Sequence, residues 1–408
     1  MNTRPHHRRS FIVTLGLLTA VAALTVDMSL PAIPSMVAAL ATNLPLGQKI
    51  VGIFMAGMAL GQIPAGLFSD RLGRLPVLYV GMVIFAVAAA VAASAGSIGL
   101  MLTARFVQGI GAAFAIVLSR AIVRDVASGR DLARLMSLMT MIFTAAPVIA
   151  PTIGALLVAQ WGWRAPFIVI AACGFMMIVA IQRNLIETHV PDVNEHPVRQ
   201  LVSSFREFFS HRQSIFGLLL IVLLPAGFMS IIAVSAALAV EIFGFTVRQY
   251  GLIFACAGLS ILAGSISNRW LVTRFDQMQL IGLGIVLIFL ASAQLSVIAI
   301  LDKASFWWIW SAVCLFMFTI AVLTPNAVVV ALDPLPRIAG VASSILGTLQ
   351  NVMGAAGALT AAVIYDGSIR NAVILMAGAG LLATCVFLAK PLIAPGPLVH
   401  HPDELARD

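Results

Sequence analysis

The sequence predicts an all-α membrane protein: twelve transmembrane helices arranged as two six-helix bundles. Three features predict it. Hydrophobic residues make up 61% of the 408 and charged residues only 10%, against roughly half and one quarter in a soluble domain. Twelve apolar stretches recur along the chain, each near the ~20 residues that cross a hydrocarbon core. The longest polar interval falls in the middle and leaves six stretches on each side.

The first span, 11–33, follows a basic head. A basic head, an apolar run and small residues at 38–41 imitate a secretory signal, but the run is too long for an h-region and eleven spans follow. It is expected to stay as a retained helix. Spans two to six are 50–68, 75–93, 98–118, 132–159 and 165–181. Within the fifth, Pro147, Pro151 and Gly154 predict a bend, because proline removes a helix hydrogen bond and glycine admits close packing. Pro31, Pro34, Pro64, Pro225 and Pro325 mark other bends. Residues 184–213 form a charged linker containing Pro191 and Pro197, in which 198–211 suits an amphipathic surface helix. Spans seven to twelve are 214–240, 250–266, 278–301, 306–332, 338–364 and 372–389. The expected organisation is an N-terminal bundle over 1–183, a linker over 184–213, and a C-terminal bundle with a short tail over 214–408.

The net charge of +8 is placed by topology. With the N-terminus inside, eighteen of the 24 Lys and Arg fall in cytoplasmic segments and Arg105 lies inside a span. This is the positive-inside bias, which predicts cytoplasmic termini and excludes a nucleic-acid footprint. The lipid bilayer and a small-molecule substrate are the expected partners. Cys173, Cys256, Cys314 and Cys385 sit singly in different spans without CxxC spacing and read as packing residues. All seven histidines lie in predicted cytoplasmic segments, off any proton path through the membrane. No metal-ligand cluster, Ser/His/Asp set or P-loop is present, so neither an enzyme nor a cofactor is expected.

The halves carry an internal repeat. After the second span the chain reads Gly66-Leu-Phe-Ser-Asp70-Arg71, and after the eighth Gly264-Ser-Ile-Ser-Asn268-Arg269. Glycine, a polar residue four places on, then arginine recur at the equivalent boundary of a duplicated topology. The stretch from Gly66 to Arg74 resembles the loop signature of the major facilitator superfamily, which implies that superfamily's fold over essentially the whole chain. Further stretches resemble its drug/proton antiporter branch, the Bcr/CflA-type efflux proteins. They are Thr25-Val-Asp-Met-Ser-Leu-Pro-Ala-Ile-Pro34, Arg105-Phe-Val-Gln-Gly-Ile-Gly111, Arg120-Ala-Ile-Val-Arg-Asp125 and Pro325-Asn326. The run Pro147-Val-Ile-Ala-Pro151-Thr-Ile-Gly154 is similar to the branch's antiporter motif. It has Ala150 where glycine is usual before the proline and Ala155 where a second glycine is common.

Asp27 is the one acid placed well inside a span. A carboxylate at a helix centre costs about 2.5–3.5 kcal/mol on insertion scales, so it either faces a cavity or finds a partner. It is read either as the proton-coupling group or as a structural acid satisfied by neighbouring helices. Arg105 is its expected counter-charge. Asp27 lies sixteen residues into the first helix and Arg105 fifteen residues before Arg120, about 24 Å and 22 Å from the cytoplasmic side at 1.5 Å per residue. The alternative is an Arg105 that snorkels outward. Gln108 shares the face of Arg105 and can hold it or a substrate; the resemblance assigns both to a proton-coupling motif.

At the loop signature, Gly66 is expected to permit close helix approach, and Asp70, Arg71 and Arg74 to form state-dependent ion pairs, with Asp125 bonded to Arg71 or Arg74. Asp70 is expected at the positive N-terminal end of the eleventh span. Asn268 replaces the acid in the second copy, so this latch is asymmetric. Asn326, Gln350 and Asn351 with Met28 and Met58 are weaker candidates for a mostly apolar cavity wall suited to varied amphipathic ligands.

The expected function is proton-driven export of small hydrophobic or amphipathic compounds across the bacterial inner membrane by alternating access, as a monomer by resemblance. Import of a nutrient by proton symport or facilitated diffusion uses the same fold and the same acid, and a membrane enzyme or receptor lacks any supporting motif.

Overall fold

The computed structural model describes residues 9–189, 197–301 and 305–395. The basic residues before Arg9, Pro191, Lys303 and the tail beyond 395 lie outside the described residues. All regular structure among the described residues is helical. In chain order it is α1 (Arg9–Ser29), a 3-10 turn (Leu30–Ala32), α2 (Ile33–Ala39), α3 (Leu44–Leu72), α4 (Arg74–Ala93), α5 (Ile98–Val126), α6 (Gly129–Trp161), α7 (Ala165–Asn184) and α8 (Pro197–Ser210). There follow α9 (Arg212–Ala237) with a π turn (Leu238–Ile242), α10 (Val247–Leu271), α11 (Gln277–Leu301), α12 (Phe306–Leu332), a 3-10 turn (Pro336–Ile338), α13 (Ala339–Val363), α14 (Arg370–Leu388) and α15 (Lys390–Ile393). Twelve of these segments are long and apolar enough to cross a membrane, with α1 and α2 together making the first. The chain is a multi-pass membrane protein.

The apolar runs locate every span but underestimate several. α3 extends from Leu44 through Asp70 and Arg71, and α5 continues through Arg120, Arg124 and Asp125. Hydrogen bonding within a helix does not stop where the side chains turn polar. Chain chemistry sets the ends instead. Asn43, Ser97 and Ser305 cap the N-termini of α3, α5 and α12 with side-chain oxygens, the Asn43 Oδ1 accepting from the Leu46 N–H over 2.9 Å. The first span breaks at Pro31 into the short 3-10 turn, where a proline ring cannot continue the α pattern. The polar stretch after Pro197 is helical, as its patterning predicts.

Contacts divide the chain into two units, Met1–Pro197 with Thr246–Ala255, and Val198–Phe245 with Cys256–Asp408. The first turns of α10 therefore group with the first unit, although the sequence divides at the linker. Within the first unit, α3 and α5 run parallel and touch backbone to backbone: a Cβ at Gly57 would meet the Phe106 carbonyl, one at Gly61 would meet Ile110, and one at Gly109 would meet Phe54 and Met58. Spacing small residues four apart brings helices close enough for van der Waals packing where lipid supplies no hydrophobic drive. Within the second unit, Gly264 on α10 presses on the Phe318 carbonyl of α12 and Gly357 on α13 on Ala226 of α9.

Candidate functional site

Asp27 sits in the last turns of α1 and is 7% exposed. Its polar neighbours are satisfied by their own helix: Thr25 Oγ1 donates to the Val21 carbonyl at 2.7 Å and Ser29 Oγ to the Val26 carbonyl at 2.8 Å. Pro31, four residues on, has no N–H to donate to the Asp27 carbonyl. Among the described residues no hydrogen bond or ion pair reaches the Asp27 carboxylate.

The expected pairing with Arg105 is not formed. Arg105, on α5, is fully buried at 0% exposure, which also overturns the alternative of a side chain snorkelling outward. Its guanidinium turns toward α3 and α7, lying 4.4 Å from the Phe54 ring centroid and 5.9 Å from that of Phe167. Nη1 donates to Gln108 Oε1 at 2.9 Å and Nε to the Ile50 carbonyl at 3.5 Å. Aromatic faces stabilise a desolvated guanidinium by up to about 2 kcal/mol or more. Thr19 Oγ1 on α1 meets Ser119 Oγ on α5 at 3.0 Å. Asp27 lies eight residues beyond that contact and Arg105 fourteen before it, about 12 Å and 21 Å away at 1.5 Å per residue. The two therefore do not share a depth, and the rings and the carbonyl hold the cation. The expected partnership of Arg105 with Gln108 is present. Arg105 Nη2, Gln108 Nε2 and both amide atoms of Gln48 on α3 are buried without a hydrogen-bond partner. The three nitrogens can each donate to an acceptor, and Gln48 Oε1 can accept from a donor.

At the join of α3 and α4, the Asp125 partner is Arg74 rather than Arg71. Arg74 Nε donates to Asp125 Oδ2 at 2.9 Å and Nη2 to Oδ1 at 3.5 Å, while Nη1 donates to Ser69 Oγ at 2.8 Å and pairs with Asp70. The side chains of Arg74 and Asp125 are 11% and 19% exposed, so the pair is shielded from water. Arg71 is exposed and has no ion pair among the described residues. The close approach expected at Gly66 is absent: a Cβ there would meet nothing within 4 Å, and Gly57 and Gly61 make the contacts instead. The second copy differs in chemistry. Asn268 Oδ1 accepts from Asn326 Nδ2 at 2.8 Å, and the same Nδ2 reaches the Val322 carbonyl at 2.7 Å. Asn326 is thus a buried bridge between α10 and α12 rather than cavity wall, and the repeat replaces a charged cluster with a neutral amide pair.

Sequence reading missed a strap that follows α7. Glu187 Oε1 and Oε2 accept the N–H groups of Arg74 (3.0 Å) and Leu75 (2.9 Å) at the N-terminus of α4. Thr188 Oγ1 donates to Asp125 Oδ2 at 3.0 Å, and His189 Nε2 lies 3.1 Å from the Asp70 carbonyl oxygen. Partial burial pushes the Glu187 carboxyl up, but the N–H groups of Leu75, His189, Arg74 and Thr188 outweigh it and hold the group below its ordinary value. One signal was available: the glycine at 73, whose φ of +94° suits glycine and whose Cβ position is taken by the Glu187 carboxylate.

The remaining candidates are dispersed. α6 runs unbroken through Pro147 and Pro151, and Gly154 packs against the Met28 backbone of α1. Met28 and Met58 are buried at helix contacts. Asn351 Nδ2 donates to the Gly347 carbonyl within α13, and Gln350 is half-buried. No group of three or more metal-ligating side chains occurs among the described residues.

A family model described as the Major Facilitator Superfamily matches residues 15–358. The chain belongs to the Major Facilitator Superfamily. This facilitator chain is 30% identical over 359 residues to the "Bicyclomycin resistance protein homolog" of Haemophilus influenzae, covering 87% of this chain and 90% of the relative. It is 26% identical over 381 residues to "Multidrug resistance protein D" of Escherichia coli, covering 93% and 95%. It is 30% identical over 386 residues to "Multidrug resistance protein MdtL" of Klebsiella pneumoniae, covering 93% and 94%. Among solved structures, a peptide transporter in complex with sulfate superposes with TM-score 0.75 at 15% identity, covering 94% of each chain. A D-xylose-proton symporter superposes with TM-score 0.73 at 16% identity, covering 95% and 98%. Those two likenesses concern the fold alone.

Proposed function

We propose that the chain exports small hydrophobic or amphipathic compounds from the bacterial cytoplasm in exchange for protons, by alternating access, as a monomer with both termini cytoplasmic. The observation that carries this reading is the set of curated bacterial relatives, named for bicyclomycin and multidrug resistance, that match about nine-tenths of the chain. A protein of this superfamily moves solutes through a cycle of conformations rather than by bond-making chemistry.

The energetics suit the coupling. One proton moving down about 100 mV and one pH unit releases roughly 2.3 + 1.4 kcal/mol, which sustains on the order of a 500-fold gradient of a neutral substrate. Asp27 is the proton carrier in this reading, since it is buried, ionisable and free of any partner among the described residues. The unused N–H donors of Arg105 and Gln108 receive either a carboxylate or a polar acceptor on the substrate, so proton and cargo compete for one environment. The Arg74 cluster acts on conformation: its ion pairs hold one state and break in another.

The test is drug and dye susceptibility in a pump-deficient host, followed by uptake in energised inside-out vesicles. The parent is expected to raise resistance and to accumulate dye against a gradient. Asp27→Asn is expected to equilibrate dye by counterflow but not to concentrate it; a variant that still concentrates it removes Asp27 from the coupling role.

A further inference from the structure

The expected ion pairs account for Asp70, Arg74 and Asp125, but not for Glu187, Thr188 and His189 beyond the end of α7, which bond to Arg74 and Leu75, to Asp125 and to Asp70 in turn. Glu187, Thr188 and His189 are consecutive, and each reaches a different helix. Glu187 holds the N-terminus of α4, Thr188 the Asp125 carboxylate on α5, and His189 the Asp70 carbonyl near the end of α3. Those three helix ends are the ones that carry the ion-pair cluster.

We propose that Glu187 is a positioning residue of the transport cycle: its strap fixes residues 73–75 in the backbone arrangement from which Arg74 reaches Ser69, Asp70 and Asp125 together, and so sets how readily the signature loop changes state. The proposal rests on the exporter reading for its functional consequence and on geometry for the strap itself.

The physical argument begins at Gly73. The first N–H groups of a helix lack acceptors, and a Ser, Thr, Asp or Asn just before the helix normally supplies one. At α4 that position is Gly73, which has no side chain to offer. A carboxylate 113 residues beyond Arg74 fills the role with both oxygens. It adds a negative charge at the positive end of the helix dipole. Glycine is needed twice over, once for the φ of +94° and once because a Cβ would strike the Glu187 carboxylate. A cap borrowed from α7 is conditional in a way that a neighbouring serine is not. It exists only while the end of α7, where the linker begins, stays docked on the loop. Arg74 needs this constraint because its mostly buried guanidinium meets Ser69 and Asp70 through Nη1 and Asp125 through Nε and Nη2. Displacing its Cα breaks the set of bonds rather than stretching one.

The experiment uses the full chain in proteoliposomes with ethidium as the transported probe. Glu187→Ala is expected to speed hydrogen exchange at the Arg74 and Leu75 amides by about tenfold or more, as local opening becomes easier. It is expected to lower export turnover about tenfold with KM within about twofold, the pattern of a residue that acts without touching substrate. Glu187→Asp restores both, because a shorter carboxylate still accepts. Thr188→Val, which removes only the bond to Asp125, gives an intermediate effect and a variant with the α4 cap intact. The proposal is overturned by unchanged exchange in Glu187→Ala, by faster exchange with parental turnover, which makes the strap a cap and nothing more, or by a KM change alone. A parent that exports no ethidium counts against the exporter reading; the strap is then decided by exchange over 69–75, and unchanged protection in Glu187→Ala overturns it.

Discussion

Arg105 Nη1 donates to Gln108 Oε1 over 2.9 Å, while Asp27 on α1 is bonded to nothing among the described residues. The acid and the cation that a simple depth argument joins are held apart, the cation by aromatic rings and a carbonyl.

A double-mutant cycle reads this separation directly. The stability effects of Asp27→Asn and Arg105→Gln in detergent should add within about 0.5 kcal/mol, as for residues without a shared partner. Gln108→Leu should by itself cost about 1–3 kcal/mol, because it strands a buried guanidinium N–H. Thermal unfolding of the two singles, the double and Gln108→Leu measures all of these.

Replacing Arg74 by lysine should not preserve the latch. A point-like ammonium cannot reach Ser69, Asp70 and Asp125 at once as the forked guanidinium does. Arg74→Lys and Asp125→Asn are each expected to lower stability by about 1–3 kcal/mol, whereas Arg71→Lys should leave unfolding unchanged. A fall in Tm for Arg71→Lys equal to that for Arg74→Lys would contradict the assignment.

The glycines separate close approach from open space. Gly66→Ala should be neutral or stabilising by about 0.5–1 kcal/mol, since alanine favours helix and its Cβ meets nothing. Gly154→Ala forces a methyl into the Met28 backbone and should cost about 1–3 kcal/mol. Expression level and Tm of the pair decide it.

Acid should loosen the strap. The Glu187 carboxyl is held below its usual value of 4.5 by backbone N–H groups. Its contribution is therefore complete above about pH 4.5 and disappears as pH falls through the lower folded value. Hydrogen exchange over residues 73–75, corrected for the intrinsic pH dependence, should stay protected from pH 5 to 8 and lose protection at more acid pH. Glu187→Gln should abolish that dependence.

Hydrophobic runs fixed the number of spans, because crossing a bilayer requires a continuous apolar length and every backbone group satisfied within the helix. The repeat at Gly66 and Gly264 marked the duplicated halves, and the spacing of Arg105 and Gln108 placed them on one face. Both were readable because helix geometry converts spacing into direction. Partners between helices were not readable. The turn of Arg105 toward Phe54 and Phe167, the choice of Arg74 over Arg71, the bond from Asn326 to Asn268 and the reach of Glu187 across 113 residues to α4 depend on how each helix is rotated against its neighbours. Packing of small residues such as Gly57, Gly109 and Gly154 sets that rotation, and no local periodicity carries it.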